Sequence, residues 1–368
     1  MKQELASRTN EQRLNLYDLA PSDLASTLQQ FVSPPYRIEQ IASWLYTKGV
    51  SSFDEMANLP RELRADLAND FTLSFPEVIQ RTEPAADGSM KYLFRLQDGG
   101  LIEAVYMPMG ERVTLCLSSQ AGCAVGCTFC VTGFFGPGKN LTPSEMVGQL
   151  RLIQREQGLA AERMNIVFMG MGEPLLNFQN LSTTLEIFYR LVSPKRITVS
   201  TAGIVPGIRE LARLSRRPNL AVSINAPDRA RREEIMPVTG KYPLDDLVAS
   251  LRDYPLEKGR EITIEYVLLE GYNDSPADAG KLARLIRGVR CKVNAIPFNP
   301  DPNLPAWMKR PSDVGIDRFV DALVAAGVGV TVRRSKGREI AAACGQLRGR
   351  SERAGRSHGA GATRLPSS

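Results

Sequence analysis

Three cysteines stand close together in one glycine-rich stretch of the chain, at Cys123, Cys127 and Cys130. Their C-x3-C-x2-C spacing lets three thiols from one loop converge on a single metal centre. A cluster of four irons takes a thiolate at each corner, so three protein ligands leave one iron open to an outside chelator. A structural zinc ion is the alternative, but its fourth ligand would have to be a distant cysteine. The spacing argues against three unrelated core cysteines.

Histidine is almost missing from the chain, because His358 near the C-terminus is the single one in 368 residues. This excludes Ser-His-Asp triads, His-ligated zinc hydrolases and zinc deaminases, all of which need histidine in the folded body. Proton transfer must therefore use a carboxylate, a thiol, a lysine or a tyrosine. Six cysteines are too few for a disulfide scaffold, which favours metal or catalytic use in a reducing compartment.

The chain has no hydrophobic segment that would direct it to a membrane. No apolar run approaches the ~20 residues that span a bilayer, and the first ten residues lack a signal-peptide core. We therefore expect a cytoplasmic protein that has no membrane partner.

Strand and helix patterns alternate from Val113 onward. Six or seven βα units predict an α/β fold whose parallel strands form a closed or partial (β/α) barrel. Such barrels place their chemistry at the carboxyl ends of the strands, and the cysteine loop follows the first predicted strand. The predicted strands are 113–117, 165–169, 197–201, 220–224, 262–268, 292–296 and 328–332; the predicted helices are 143–155, 178–191, 207–216, 244–251, 275–288 and 314–326.

The segments outside this core differ in pattern. Residues 1–80 have short helical patterns separated by turns, which indicates a small helical domain that binds RNA or serves a structural purpose. Period-two alternation on both sides of 97–100 predicts a β-hairpin extension over 81–112. The core then covers 113–349.

The C-terminal end of the chain is strongly basic. From Arg333 onward, nine lysines and arginines stand against two glutamates, whereas the whole chain has 46 against 40 acidic residues. A basic end favours a polyanionic partner such as RNA. The Ser, Gly, Ala and Arg composition of 350–368 instead predicts that this part is a basic, solvated and disordered tail.

Several motifs in one order resemble a known family. The three-cysteine loop that opens a βα barrel resembles the radical S-adenosylmethionine superfamily. Within that superfamily the chain resembles the RlmN family of dual-specificity RNA adenine methyltransferases, which are related to the Cfr methyltransferases. The motifs are CLSSQAGC at 116–123, MGMGEPLLN at 169–177, STAG at 200–203, ITIEYVL at 262–268, IPFNP at 296–300 and ACGQL at 343–347.

The resemblance implies a cofactor site at particular residues of this sequence. Cys123, Cys127 and Cys130 would hold a 4Fe-4S cluster, whose open iron is chelated by S-adenosyl-L-methionine. One departure is visible, since the family's usual Ser-Leu-His reads Ser-Ile-Asn here, and asparagine carries no charge. The implied cofactor-binding residues are Gly172, Glu173, Ser200, Ser223, Ile224, Asn225 and Asn299.

The resemblance also implies three catalytic residues. Cys344 accepts a methyl group from one cofactor molecule, and a radical made from a second takes hydrogen from that methyl before it adds to adenine. Glu103 accepts the ring proton. Cys116 then attacks the Cys344 sulfur, which releases the RNA and leaves a disulfide between the two cysteines. Without the resemblance, the two cysteines read as small core residues and Glu103 as a solvated hairpin residue.

The implied function is methylation of carbon 2 of specific adenosines in 23S ribosomal RNA and in transfer RNA, with two S-adenosylmethionine molecules per turnover. An electron donor such as flavodoxin or ferredoxin is the second implied partner. A Cfr-like enzyme that methylates carbon 8 is the alternative within this class. A zinc-stapled RNA-binding protein without activity is the alternative outside it.

Overall fold

The computed structural model describes residues 13–333 and 336–348. The predicted tail over 350–368 lies outside these residues, as do residues 1–12 of the predicted helical domain. The N-terminal part contains β1 (Leu14–Asn15), α1 (Pro21–Leu28), α2 (Tyr36–Ala42), α3 (Arg61–Asp70) and β2 (Phe71–Thr72), with β1 parallel to β2.

The N-terminal helices pack around a buried tyrosine. The Tyr17 hydroxyl donates to the carbonyls of Val50 at 2.7 Å and Leu45 at 3.1 Å, so it joins the residues before α1 to the stretch that follows α2. Helix α2 continues as a π-helical turn over Ser43–Lys48, which ends at Gly49. Glycine suits that end because its φ is +71°, a left-handed conformation that disfavours other residues.

Four antiparallel strands follow, namely β3 (Glu77–Arg81), β4 (Met90–Arg95), β5 (Leu101–Met109) and β6 (Arg112–Cys116). The predicted hairpin is present as β4 and β5, with Arg95 opposite Leu101. Strand β3 adds a third strand to it and crosses the predicted boundary between residues 80 and 81. The hairpin is part of the main sheet, because β5 pairs with β6.

The rest of the chain forms the α/β core, as the strand and helix alternation predicts. Within the ten-stranded sheet, β6 and the strands that follow it are parallel, and they lie side by side in chain order. The ten-stranded sheet is open, since β3 and β14 are its two edges. The remaining elements are β7 (Gln120–Ala121), α4 (Val131–Phe134), β8 (Lys139–Asn140), α5 (Pro143–Glu156), β9 (Met164–Phe168), α6 (Phe178–Phe188), β10 (Ile197–Thr201), α7 (Val205–Arg213), β11 (Asn219–Ser223), α8 (Arg229–Ile235), α9 (Val238–Lys241), α10 (Leu244–Arg252), β12 (Ile262–Leu268), α11 (Pro276–Leu285), β13 (Cys291–Pro297), α12 (Asp313–Ala325) and β14 (Val330–Val332).

Three short helices of the core, α4, α8 and α9, are absent from the sequence predictions. Helix α8 contains mostly charged residues, so it shows no apolar periodicity that would indicate a helix. Its start is set by Asp228, whose carboxylate accepts from the backbone N–H of Arg231 at 2.9 Å. Helix α9 is a single turn of four residues that follows Pro237.

The apolar core has two parts. The larger part lies between the sheet and the helices and includes buried strand residues such as Ile166, Val199 and Ile264. A smaller cluster, built from residues such as Val131 and Met236, packs against partly buried residues of the cysteine loop. No helix among the described residues is long and apolar enough to cross a lipid bilayer.

Gly170 follows β9, where the backbone passes close to the end of β6. A Cβ at this position would lie 2.6 Å from the Leu117 carbonyl oxygen, which is a backbone atom that cannot rotate away. We expect Gly170→Ala to lower the free energy of unfolding by about 1–3 kcal/mol, as measured by urea denaturation. Gly280→Ala is the control, because its Cβ would meet nothing closer than 3.6 Å in helix α11. Wild-type stability in Gly170→Ala would contradict this account of the close approach.

Candidate active site

A cavity of about 170 Å³ opens at the carboxyl ends of the parallel strands. All three loop cysteines contribute to its wall, as does the end of the chain segment that carries Cys344. This is the edge of the sheet where the sequence predicts the chemistry. The residues that line the cavity and that the sequence identifies are Cys123, Cys127, Cys130, Gly172, Glu173, Ser200, Ser223, Asn299 and Cys344.

Backbone hydrogen bonds close the cysteine loop and anchor it to helix α8. The N–H of Cys123 donates to the Gly136 carbonyl at 2.8 Å, which closes the loop on itself. The N–H of Thr128 donates to the last residue of α8, Ile235, at 3.0 Å. The loop therefore presents its thiols from a fixed backbone.

The three thiols are held in a low-dielectric environment. Burial raises the pKa of Cys123 to about 12 and raises the pKa of Cys127 and Cys130, and each thiol disfavours ionisation of another. Backbone N–H groups near the sulfur of Cys123 oppose this shift, because they stabilise a thiolate. Thiols in this state ionise when a cation or a cluster replaces the proton.

The arrangement of these thiols fits a cluster better than a single ion. Within 13–333 and 336–348, no three His, Cys, Asp or Glu side chains converge closely enough to hold one metal ion. A cluster binds each thiolate at a different iron, so its ligands stand farther apart than the ligands of one zinc ion. Three thiols around one cavity, with N–H donors near sulfur, fit this group.

Glu173 is a buried carboxylate at the cavity. Its two oxygens accept from the backbone N–H groups of Leu175 at 3.0 Å and Ala202 at 2.7 Å. Burial outweighs these donors and raises the pKa of Glu173 to about 7. The preceding residue, Gly172, has a φ of +95°, and a Cβ there would lie 2.7 Å from the backbone nitrogen of Gln120. Glycine is therefore required for this carboxylate to reach the cavity.

The structure divides the other predicted cofactor residues into two groups. Ser200, Ser223 and Asn299 line the cavity, whereas Ile224 and Asn225 do not. Asn225 is fully buried, and its side chain accepts from the N–H of Val267 at 2.8 Å. Its φ is +58°, a left-handed conformation that asparagine adopts more readily than most residues. Asn225, the residue that departs from the family motif, thus stabilises the turn after β11.

A second, smaller cavity of about 80 Å³ adjoins the first. Cys116 at the end of β6 and Cys344 both line it, together with Arg333 and Lys336. Burial raises the pKa of Cys116 to about 12, and the Arg333 guanidinium opposes that shift. The two cysteines are free thiols in this structure. The fold thus brings together two thiols that are 228 residues apart in the chain.

The segment that carries Cys344 is attached to the α/β core at the cysteine and at residues after it. The Asn299 amide donates to the Cys344 carbonyl at 3.3 Å, and the Val131 N–H donates to the Gly345 carbonyl at 2.7 Å. Arg348 forms an ion pair with Asp301 at 2.7 Å. These contacts hold the Cys344 segment over the carboxyl ends of the strands.

Glu103 is buried on β5 and lines neither cavity. The expectation of a solvated hairpin residue is wrong, since this side chain is 3% exposed. One carboxylate oxygen pairs with the Lys91 ammonium at 3.2 Å, and the other accepts from the Arg348 N–H at 2.8 Å. Glu103 is therefore tied to the same C-terminal segment as Cys344.

Two charged residues of the cavity are missing from the sequence predictions. Glu265 on β12 is 5% exposed and accepts from the Asn294 amide at 2.7 Å. Arg333 lines both cavities, and its pKa is raised mainly by Cys344 and also by Glu265. A glutamate within the apolar strand ITIEYVL was a signal for such a site, whereas Arg333 reads in sequence as one charge in a basic segment.

Comparisons with known proteins identify the class to which this chain belongs. The Radical SAM superfamily model matches residues 117–285, and the model of the ribosomal RNA large subunit methyltransferase N-terminal domain matches residues 14–73. A crystal structure of a radical SAM methyltransferase from Sphaerobacter thermophilus is 44% identical, with a TM-score of 0.85. The match covers 92% of this chain and 100% of that one. Fold and site together define a radical SAM methyltransferase.

Curated relatives narrow the class further. The dual-specificity RNA methyltransferase RlmN of Anaeromyxobacter dehalogenans is 44% identical over 90% of this chain and 91% of its own length. The enzyme of the same name from Syntrophus aciditrophicus is 44% identical over 92% of this chain and 97% of its own. The chain belongs to the RlmN family of radical SAM RNA methyltransferases, which confirms the predicted family, fold class and enzyme class.

The raised pKa of Glu173 predicts how stability depends on pH in the enzyme without cofactor. The folded carboxyl keeps its proton up to a pH of about 7, whereas the unfolded one loses it near 4.5. The free energy of unfolding should therefore fall as pH rises between these values, by roughly 3 kcal/mol. Glu173→Gln should flatten this slope in urea denaturation across that interval, while the exposed Glu162→Gln should not. An unchanged slope in Glu173→Gln would refute the buried titration.

Proposed function

We propose that this enzyme methylates carbon 2 of specific adenosines in 23S ribosomal RNA and in transfer RNA. The proposed route is a radical one through an S-methylcysteine at Cys344, with two S-adenosylmethionine molecules per turnover. The observation that supports it most directly is the small cavity that Cys116 and Cys344 share beside the cavity with the three loop cysteines. A mechanism that uses one catalytic cysteine would not require Cys116 beside Cys344.

The residues of the larger cavity suit the cofactors that the family implies. Cys123, Cys127 and Cys130 would hold the 4Fe-4S cluster, and Glu173 would face the ammonium group of S-adenosylmethionine. When bound, these cofactors supply an electron and a carbon-centred radical. Ser200, Ser223 and Asn299 would hold the polar groups of S-adenosylmethionine, because their side chains offer hydrogen bonds at the same cavity.

Arg333 would assist both thiols. A thiolate rather than a thiol is the nucleophile, both when Cys344 accepts a methyl group and when Cys116 attacks sulfur. Burial disfavours the thiolate form of Cys116, whereas the positive charge of Arg333 stabilises it. Its place on the wall of both cavities lets one guanidinium serve both thiols.

Glu103 is the proposed acceptor of the ring proton. Its ion pair with Lys91 at 3.2 Å holds the carboxylate in place on β5. The Arg348 N–H occupies one of its oxygens in this structure. We therefore propose that the C-terminal segment shifts when RNA enters, which frees that oxygen for the substrate.

The release step completes the cycle. The Cys116 thiolate attacks the Cys344 sulfur, the bond from that sulfur to the bridging carbon breaks, and this carbon takes a proton to become the new methyl group. A disulfide between the two cysteines remains, and an external thiol reductant must reopen it.

RNA recognition and electron supply complete the proposal. The curated relatives are named dual-specificity RNA methyltransferases, and the domain model over residues 14–73 is named for ribosomal RNA methyltransferases. We assign RNA binding to this helical domain. Flavodoxin or ferredoxin is the proposed electron donor.

The methylated position is tested directly by product analysis. RNA from a strain without this gene is incubated with reconstituted enzyme, S-adenosylmethionine and reductant, and its nucleosides are analysed by mass spectrometry. We expect 2-methyladenosine, and no product with Cys127→Ala, which lacks one cluster ligand. Formation of 8-methyladenosine would identify a Cfr-like enzyme, and full activity of Cys127→Ala would overturn the radical route.

Cys116→Ala should stop the reaction after the new carbon–carbon bond forms. No thiolate is then present to attack the Cys344 sulfur, so RNA stays attached to the protein through a methylene bridge. We expect a protein–RNA band on a denaturing gel that persists in the presence of reductant.

Two variants serve as controls for this trap. Cys116→Ala combined with Cys344→Ala should give no such band, because the sulfur that carries the bridging carbon is gone. Cys291→Ala changes a cysteine that lines neither cavity and should turn over normally. Normal turnover of Cys116→Ala without an adduct would remove Cys116 from the mechanism.

A further inference from the structure

Arg232 on helix α8 is a fully buried arginine immediately behind the larger cavity. Its Nε donates to the carbonyl of Ile224 at 3.1 Å, and one Nη donates to the Thr239 hydroxyl at 2.6 Å. The other Nη donates to the carbonyls of Ala202 at 2.6 Å and Ser223 at 3.0 Å. One guanidinium thus joins the carboxyl ends of β10 and β11.

Among the residues that the structure describes, no carboxylate pairs with the positive charge of Arg232. All four of its hydrogen-bond acceptors are neutral, and no ion pair involves it within the described part of the chain. Burial lowers the pKa of Arg232 to about 10, so the side chain stays charged at neutral pH. A negative charge at Cys127, one of the loop cysteines, would raise the pKa of Arg232 and so oppose the effect of burial.

A buried cation without an anion is costly, since removing it from water is not repaid by neutral acceptors alone. An iron–sulfur cluster with three thiolate ligands is an anion, and it becomes more negative when it takes up an electron. Such a cluster at Cys127 would supply the missing counter-charge. Ala202, Ser223 and Cys127 all line the cavity, so the guanidinium lies behind the same wall.

We propose that Arg232 is a positioning residue with two separable effects, and the proposal rests on the cluster assigned above to the loop cysteines. Its fork of N–H groups holds the ends of β10 and β11, and through them the cavity wall that includes Ser223. Its charge offsets the negative charge of the cluster and favours the reduced form. Arg232 is fully buried, and burial strengthens such an interaction because solvent screens it less.

Two neutral variants and one charged variant separate these effects. The cluster is reconstituted in Arg232→Met, Arg232→Gln and Arg232→Lys, and the one-electron reduction is followed by electron paramagnetic resonance in a redox titration. In the neutral variants the ratio of reduced to oxidised cluster at a fixed potential should fall at least tenfold, which is about 59 mV for one electron. In Arg232→Lys this ratio should stay close to that of wild type.

The lysine variant tests the second effect. Lysine keeps the charge but cannot reach Ile224, Thr239 and both strand ends with one planar fork. Equilibrium binding of S-adenosylmethionine to the cluster-loaded protein should therefore weaken severalfold in Arg232→Lys, although the potential is retained. A merely structural arginine would not separate the potential from the affinity in this way.

Arg151→Met is the matched control. Arg151 is also buried and also bonded to carbonyls, among them that of Tyr46 at 2.7 Å, but it lines neither cavity. Its loss should leave the cluster potential unchanged. Circular dichroism and thermal melting of each cluster-free variant show whether it is folded.

Each outcome decides the proposal. Folded neutral variants that lose the cluster, while Arg232→Lys keeps it, would support the role of the charge. A wild-type potential in either neutral variant would overturn it, as would failure of all three variants to fold. Failure of the neutral variants alone to fold without a cluster would also overturn it, because the charge would then serve the fold. A wild-type protein that binds no cluster would instead refute the cluster assignment.

Discussion

The burial of ionisable groups at the carboxyl ends of an apolar sheet is the constraint on which this structure depends. Radical chemistry needs a site that excludes water, but the same exclusion makes every charge expensive. Burial therefore raises the pKa of Cys116, Cys127 and Glu173, and it lowers the pKa of Arg232. Each group is then compensated by N–H donors, by an opposite charge, or by a ligand that the site is built to bind.

The fold meets this constraint by supplying backbone groups where side chains are scarce. Glu173 accepts from two N–H groups in the turns that follow neighbouring strands, and Arg232 donates to three carbonyls at the ends of the same sheet. These backbone groups are free because the strands end there and pairing stops. The carboxyl edge of a parallel sheet is thus a source of both donors and acceptors.

The C-terminal segment completes the site from far along the chain. It brings Cys344 next to Cys116 and adds Arg333 and Lys336 to the same small cavity. It also binds Glu103 through the Arg348 N–H. The three proposed catalytic residues therefore all lie on or beside this segment. Between Lys336 and Arg348 this segment is held by side-chain and backbone hydrogen bonds and by the Asp301 ion pair rather than by strand pairing.

The sequence by itself determined the elements and the ligand loop. Period-two and helical patterns are local, so the strands that contain Ile197–Thr201 and Ile262–Leu268 have the predicted bounds. The C-x3-C-x2-C spacing is also local, and the cysteines of one loop line one cavity as expected. Charged helix α8 was missed because local periodicity, the signal that predicts an amphipathic helix, is absent from it.

Only the tertiary structure decided which distant residues meet and which are buried. Glu103 looks exposed on a hairpin, but the pairing of β5 with β6 places it inside the main sheet. Asn225 stands in a cofactor motif, yet its left-handed backbone turns its side chain toward Val267. Arg232 and Arg333 read as charges in basic runs, although one is fully buried and the other lines both cavities. Such placements depend on strand order and loop paths over hundreds of residues, and no local pattern encodes them.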